Sequence, residues 1–387
     1  MARSISDTGS VVRAVRVWPV AGQPAGLPDS LPEPIAAVAV PPAGPSWPEH
    51  RTRFAVEVVG DGASGWHAPV SEAVARLVVD TLADGVVGHD AAAPRKLAYR
   101  PRASRHHQGA HARQAVSAVE LACWDLASRV SGRTVPELLG GTVRAHVPVY
   151  ASALGLDPAH PEAVKVAAWI SEQGFWGQKW PLTKELLRQG PVAVARVLGN
   201  LREAAGEGRF MVDGLRRCRL DEALGLLPVL ADLRVAFAEE LLEPGGVAWA
   251  RVRAAGAGVP MAAGEHAVDE HEQTRLLTGG AVDVWQTDPG WSGGLARSLH
   301  TVEVAADLGM PTFPHGDRLW AALALAGACC RDKVPAVEWH LTLEPLRQRV
   351  FTDPGAVEAG MLPSGPGIGL APTPVITSPL PVWTVGS

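Results

Sequence analysis

Lysine is scarce in this chain of 387 residues, with five against thirty arginines, and tyrosine is scarcer still at two. Any lysine at a special position therefore carries more information than usual. The four cysteines, Cys123, Cys218, Cys329 and Cys330, show neither a CxxC pair nor a Cys/His spacing suited to zinc, which excludes a zinc ribbon. Vicinal Cys329 and Cys330 close the apolar run AALALAGACC and read as buried small hydrophobes. The net charge is only −5, and no Lys/Arg block is long enough to follow a phosphate backbone, so no nucleic-acid partner is expected. No run of 18 apolar residues occurs, so no membrane partner is expected either. The first residues, Met-Ala-Arg-Ser-Ile-Ser-Asp, lack the apolar core of a signal peptide, and a cytoplasmic location is the expectation.

What is present is a loop-rich chain, 47% hydrophobic, with glycine and proline at 74 positions. That is ample for a large single-core barrel plus a smaller domain. Residues 11–17 and 53–59 alternate apolar and polar, and the second run leads into Asp61-Gly62, a turn signal; together they predict an antiparallel sheet. Between them lies a Pro-rich stretch, residues 21–50, too long for an ordinary connection and read as a functional flap or a partly mobile segment. Helical periodicity follows over 70–85, with Ser71 as N-cap and Gly85 as stop. It is strongest over 112–130, where Ala118, Leu121, Ala122 and Leu126 share a face, and a short helix in VPELLGG follows.

From Val147 the texture changes. Eight short β-like runs (147–152, 177–182, 209–213, 236–240, 261–265, 282–288, 310–316 and 336–340) have helical patterns between most of them, which predicts a parallel (β/α) barrel. The last 45 residues lack periodicity and are expected to wrap back over the first unit.

Charged residues fall where such a barrel does its chemistry. Asp213, Glu239 and Glu265 stand at or beside strand ends, 26 and 26 residues apart, one strand–helix unit each. Two like charges 4 Å apart cost about 1 kcal/mol in water and roughly 4 at an effective dielectric of 20, so this trio calls for protons or a cation. An oxygen-only set favours Mg2+ over Zn2+. Asp288 follows 23 residues later and His315 another 27, a spacing that lets the carboxylate orient the imidazole as a base. Glu338 ends the eighth run and is placed to bind a substrate hydroxyl or stabilise charge. Lys179, at the end of the second, is placed to hold an oxyanion or to act as a base with a lowered pKa.

The segments AVSAVELACWDLASRVSGRTVPELLGG, VPVYAS, MVD, AEE, AAGEH, VWQTDPGWSGGLA and FPHG resemble the enolase superfamily, specifically its mandelate racemase subgroup. Within it, GFWGQKWPL, MVDGL, GEHA and DPGWSGGL are most similar to acid-sugar dehydratases of the rhamnonate dehydratase type. The resemblance covers nearly the whole chain and is weakest over 19–50. It implies an α/β fold: an α+β capping domain (1–140), a modified (β/α)7β TIM-type barrel (141–360), and a C-terminal segment (361–387) returning to complete the cap. It further implies Mg2+ held by Asp213, Glu239 and Glu265, His315 with Asp288 as base, Glu338 assisting, and His266 beside the last ligand. A homo-oligomer is implied as well. Superfamily sites of this kind pair a Lys or His base with Mg2+ stabilising an ene-diolate. In or beside the flap, Trp18, Trp47, His50 and Arg51 are placed to close over a polyol chain, with Arg51 as a partner for the carboxylate.

One departure bears on the reaction. Many racemases carry Lys-x-Lys at the second strand end; here the sequence is Lys179-Trp180-Pro181, so the usual second base is missing. Dehydration of an acid sugar to a 2-keto-3-deoxy acid needs only one histidine and is the expected activity of this lyase. The alternatives are a racemase or epimerase of a 2-hydroxy acid and a catalytically silent metal-binding barrel.

Overall fold

Alternating apolar residues build the first sheet. In the computed structural model, which describes residues 11–20, 31–40, 53–91, 109–141, 144–256, 258–352 and 360–386, β1 (Ala14–Val20), β2 (Arg53–Val59) and β3 (Ser64–Val70) form an antiparallel meander. A fourth strand, β12 (Trp383–Gly386), pairs antiparallel with the free side of β1, Ala14 opposite Gly386. The expected Asp61-Gly62 turn joins β2 to β3, with Gly62 at φ 77°, a conformation that favours glycine.

The helix over Ala110–Ser131 lies against this sheet and stops at Gly132, in the left-handed conformation at φ 64°. It is buried on two sides. Ala118, Ala122 and Leu126 pack with Val15, Val56 and Val58 of the sheet, whereas Leu121 and Trp124 pack with Leu295, Val302 and Leu319 of the barrel. Its contact with β3 is backbone-close: a Cβ on Gly65 would lie 2.1 Å from the Ala122 carbonyl oxygen, so no larger residue fits. The helix expected over 70–85 starts at its Ser71 cap, whose Oγ accepts from the Val74 amide, but is α-helical only through Glu72–Leu77. It then loosens into a π turn (Val78–Leu82) and a 3-10 turn (Ala83–Gly85).

Within the Pro-rich stretch, one piece is regular: the helix Glu33–Val38, with Pro34 at an N-terminal position, docks Ile35 and Val38 into the barrel's outer core. Trp18 is not a flap residue but part of β1, with its indole donating to Glu57 at 2.7 Å and tilted against Trp66. His50, Arg51 and Trp47 lie outside the described residues.

The barrel strands run parallel in the order β10-β4-β5-β6-β7-β8-β9. They are β4 (His146–Ser152), β5 (Gly177–Pro181), β6 (Arg209–Asp213), β7 (Ala238–Glu239), β8 (Met261–Ala263), β9 (Val284–Trp285) and β10 (Val337–His340). The seventh β-like run, at 310–316, is reduced to a parallel bridge between Thr312 and Trp285. A short β11 (Met361–Pro363) pairs with β4. Inside, Tyr150, Met211, Phe237, Ala262, Val284, Phe313 and Ala336 fill the barrel floor. Cys329 is buried as expected, but Cys330 is exposed, because the fully buried helix Leu319–Ala328 has already ended.

Cap and barrel are joined by one buried carboxylate. Glu120, fully buried on the long cap helix, accepts from the amides of Leu295 and Ala296, both at 2.9 Å, and from the Trp124 indole at 2.8 Å. It thereby caps the barrel helix Leu295–Asp307, whose own N-cap position is Gly294 and offers no side chain. Replacement of Glu120 by Ala strands these three donors in the interior and is expected to lower the unfolding free energy by about 3 kcal/mol, whereas Glu120→Gln, which keeps one acceptor, recovers roughly half. Urea unfolding midpoints at constant slope provide the check.

Candidate active site at the barrel mouth

Register places the carboxylates. Asp213 is the last residue of β6 and pairs opposite Glu239, the last of β7. Glu265 follows β8 after Gly264, whose φ of 136° and close approach to the Trp285 ring suit glycine alone. Backbone strain gathers here too: Leu215, Arg216 and Glu240, just past β6 and β7, all have positive φ, at 50°, 54° and 34°. Leu215 donates its amide to Asp213 Oδ1, and Arg216 clamps Glu240 through Nε at 2.6 Å and a terminal nitrogen at 3.2 Å.

Lys179, from β5, sits fully buried among these groups. Its Nζ lies 2.6 Å from Glu239 Oε2, 2.8 Å from Glu338 Oε1 and 3.4 Å from Asp213 Oδ2. Burial opposes its charge, but Glu239 and Glu338 outweigh that cost and hold the ammonium well above the ordinary lysine range. Of the two roles expected for Lys179, the surrounding carboxylates favour the charged one that holds an oxyanion, the direction opposite to a lowered pKa. One cation cannot satisfy all its neighbours. Burial first, and repulsion from Asp213 next, push Glu239 up to about 7, while burial pushes Glu265 up to about 8 against the pull of His315 and Asp213 up to about 6 against that of Lys179. Glu338 goes the other way, because Lys179 and the two neighbouring histidines outweigh its burial and hold it well below the usual range.

The histidine and its carboxylate meet as well. A backbone bond from the His315 amide to the Thr287 carbonyl sets the two segments side by side, and His315 Nδ1 lies 2.7 Å from Asp288 Oδ2. Asp288 is fully buried, and its other oxygen accepts from the Gly290 amide at 2.6 Å. The second ring nitrogen of His315 is left facing Glu265, 3.6 Å away. Burial disfavours the imidazolium, but Glu265 and Asp288 outweigh it and raise His315 to about 10. Trp291 closes one side of the ring, 4.8 Å between centroids.

Of the residues singled out from sequence, Lys179, Asp213, Glu239 and Glu338 meet around one ammonium, while Glu265, Asp288 and His315 form the adjoining group. His266 is half-exposed beside them, its Nδ1 3.2 Å from Glu265 and 3.4 Å from Glu240. A cleft of about 250 Å³ opens next to Trp291 between cap and barrel, lined by Arg53, His67 and Gln114 on one side and Arg318 and Arg347 on the other. Two features escaped the sequence reading. Asp317, held well below the usual range against burial by Arg318 and Arg347, also accepts from the Trp291 indole at 2.8 Å. His340 is the second, and it corrects the placing of Glu338: β10 runs two residues further, to His340, on the same face of the strand.

The donor set fits a divalent cation. Three buried carboxylates on successive strand ends offer only oxygen, and burial, with repulsion from neighbouring carboxylates behind it, disfavours their charged forms. Comparison with known proteins agrees with this architecture. The family model "Enolase C-terminal domain-like" matches residues 162–375, and that of the "Mandelate racemase / muconate lactonizing enzyme, N-terminal domain" matches 53–140. A D-galactonate dehydratase of Ralstonia nicotianae is 31% identical over 310 residues, covering 76% of this chain and 78% of the relative. A D-galactarolactone cycloisomerase of Agrobacterium fabrum is 28% identical over 345 residues, 83% of this chain and 89% of the relative. Among solved structures, L-talarate dehydratase from Polaromonas sp. JS666, complexed with Mg and L-glucarate, shares the fold with a TM-score of 0.77 at 18% identity, covering 98% of this chain and 100% of that one. With both domain models matched in order, and with the strand-end carboxylates and the His–Asp pair in place, the chain belongs to the mandelate racemase/muconate lactonizing enzyme group of the enolase superfamily.

Proposed function

We propose that this enzyme is a hydro-lyase that removes water from an acid sugar, giving a 2-keto-3-deoxy acid. The His315–Asp288 contact at 2.7 Å carries the reading; relatives named as galactonate and arabinonate dehydratases support it. Asp213, Glu239 and Glu265 would hold Mg2+, which when bound neutralises them and, as a Lewis acid, favours negative charge developing on a substrate carboxylate.

The chain's own groups account for the proton transfers. Asp288 fixes the proton on His315 Nδ1; with Glu265 neutralised, the strongest pull that raises His315 would be relieved, leaving Nε2 as the base that takes the proton α to the carboxylate. The imidazolium so formed then delivers that proton to the departing β-hydroxyl. One α-proton and one hydroxyl leave as water, and the enol becomes the keto acid. Lys179 and Glu338 would flank the reacting carboxylate, where a charged ammonium serves electrostatic stabilisation better than proton abstraction. His266, at the half-exposed edge, is placed for a substrate hydroxyl. Racemisation would need a second base on the opposite face, and Lys179, held by three carboxylates, is a poor one.

Proton NMR in D2O with Mg2+ and pooled acid sugars, D-galactonate and D-arabinonate among them, is expected to show a new deoxy-methylene signal. His315→Asn should lower the rate by about 1,000-fold or more while Mg2+ affinity stays within a few-fold. Exchange of the α-proton alone would make the enzyme a racemase or epimerase, and loss of Mg2+ affinity in His315→Asn would overturn the ligand assignment. Stability provides an independent check. Carboxyls raised to about 6, 7 and 8 bind more protons folded than unfolded from their ordinary values upward. Stability is therefore expected to fall as pH rises from about 5 to 8 when divalent cations are chelated, and added Mg2+ should remove most of that slope.

A further inference from the structure

His340 has no task in the reaction above, yet it is among the most enclosed polar side chains of the barrel. It is 3% exposed, and neither ring nitrogen has a hydrogen-bond partner among the described residues. A buried polar group without a partner costs roughly 1–3 kcal/mol, so such a group calls for a reason. Its surroundings supply one. Nε2 lies 3.5 Å from Glu338 Oε1, an oxygen that also lies 2.8 Å from Lys179 Nζ. The His340 ring stands edge-to-face to that of His315, centroids 6.1 Å apart. Ligand-capable atoms of His315, Glu338 and His340 all fall within 4.8 Å of one another, and all three side chains are buried.

We propose that His315, Glu338 and His340 form a second metal site, selective for a borderline divalent transition ion such as Zn2+ or Co2+, beside the oxygen-only trio. Two imidazoles and one carboxylate are the donors such ions prefer, whereas Mg2+ prefers oxygen. Bonds of about 2.0–2.2 Å at a tetrahedral ion hold two ligand atoms roughly 3.3–3.6 Å apart, which the His340–Glu338 separation already meets. The other donors are partly set: Asp288 holds His315 Nδ1 and so fixes Nε2 as its ligand atom, and the Gly316 amide holds Glu338 Oε2 at 3.1 Å, leaving Oε1. Lys179 is the competitor for that oxygen, so the ion binds as the ammonium turns fully to Glu239 and Asp213. Occupancy takes the nitrogen that the proposed reaction uses as base, and the site is therefore inhibitory; this consequence rests on the reading in the preceding subsection, while the binding does not.

The test titrates Co2+ into the full chain in the presence of saturating Mg2+, following visible absorption and calorimetry. Wild type is expected to take up one Co2+ per chain, with the spectrum of a low-coordinate nitrogen–oxygen site. His340→Leu is expected to weaken Co2+ at least about 100-fold and leave Mg2+ affinity unchanged. His340→Gln serves as the second variant if circular dichroism shows the first misfolded. Equal Co2+ binding in these variants, or no uptake by wild type once Mg2+ is saturating, overturns the proposal. Co2+ bound through His340 by a chain that, with Mg2+ alone and no Co2+, dehydrates no acid in the pool would sink the proposed activity and leave the second site standing.

Discussion

A single buried ammonium facing more negative charge than it neutralises is the constraint on which the rest of this site depends. Lys179 is fully buried and lies within 3.4 Å of three carboxylates. Such an arrangement is expensive to desolvate and weak evidence for stability. It persists because parallel strands deliver the groups together: register sets the backbone positions of Lys179, Asp213 and Glu239 side by side. The excess charge is what makes the place reactive toward cations and protons. Its gradient is also ordered, from oxygen donors at β6, β7 and β8 to the imidazoles around β10.

Much of this was legible in the sequence, because barrel geometry repeats. A carboxylate every 26 residues at the end of a β-like run translates directly into neighbours at one rim, and Asp288 and His315 follow by the same logic. The short helix VPELLGG and the long helix before it also lie where their caps predict, with Thr134 and Glu137 forming a capping box and Gly132 and Gly140 closing the ends. What periodicity cannot carry is the sign of a balance. Lys179 was open to two readings because its pKa is set by carboxylates from three other strands, none near it in sequence. His340 gives a weaker signal for a simpler reason: it shares parity with Glu338, but a lone histidine on a buried strand face is not distinguished by spacing or charge. The segment 310–316 reads as a strand and bonds along Trp285 and Thr287 through Pro311, Phe313 and His315, yet closes only one bridge, at Thr312.

The cap does more than cover the barrel. Glu120 and Ser117 bind the backbone of Gly293, Leu295 and Ala296, immediately after the loop that carries Asp288 and Trp291. Asp125, one turn on, gathers the amides of Trp66 and Leu370 and the Arg129 side chain, so β3, the long helix and the returning chain share one buried anchor. The cleft beside Trp291 is thus walled by two domains whose relative position is fixed by hydrogen bonds that have no solvent alternative. Arg53, His67 and Gln114 line its cap side, on elements separate from those that carry His315 and Asp288.

The pairing of β12 with β1 sets an order of events during synthesis. The first strand of the cap leaves the ribosome early, but its outer edge is covered only when the last strand arrives, after every barrel strand has been made. Until then β1 presents an unpaired row of amides and carbonyls, flanked by valines, to any other nascent chain. The cap is begun first and finished last, which makes that edge the point at which crowded synthesis is most open to intermolecular strand pairing.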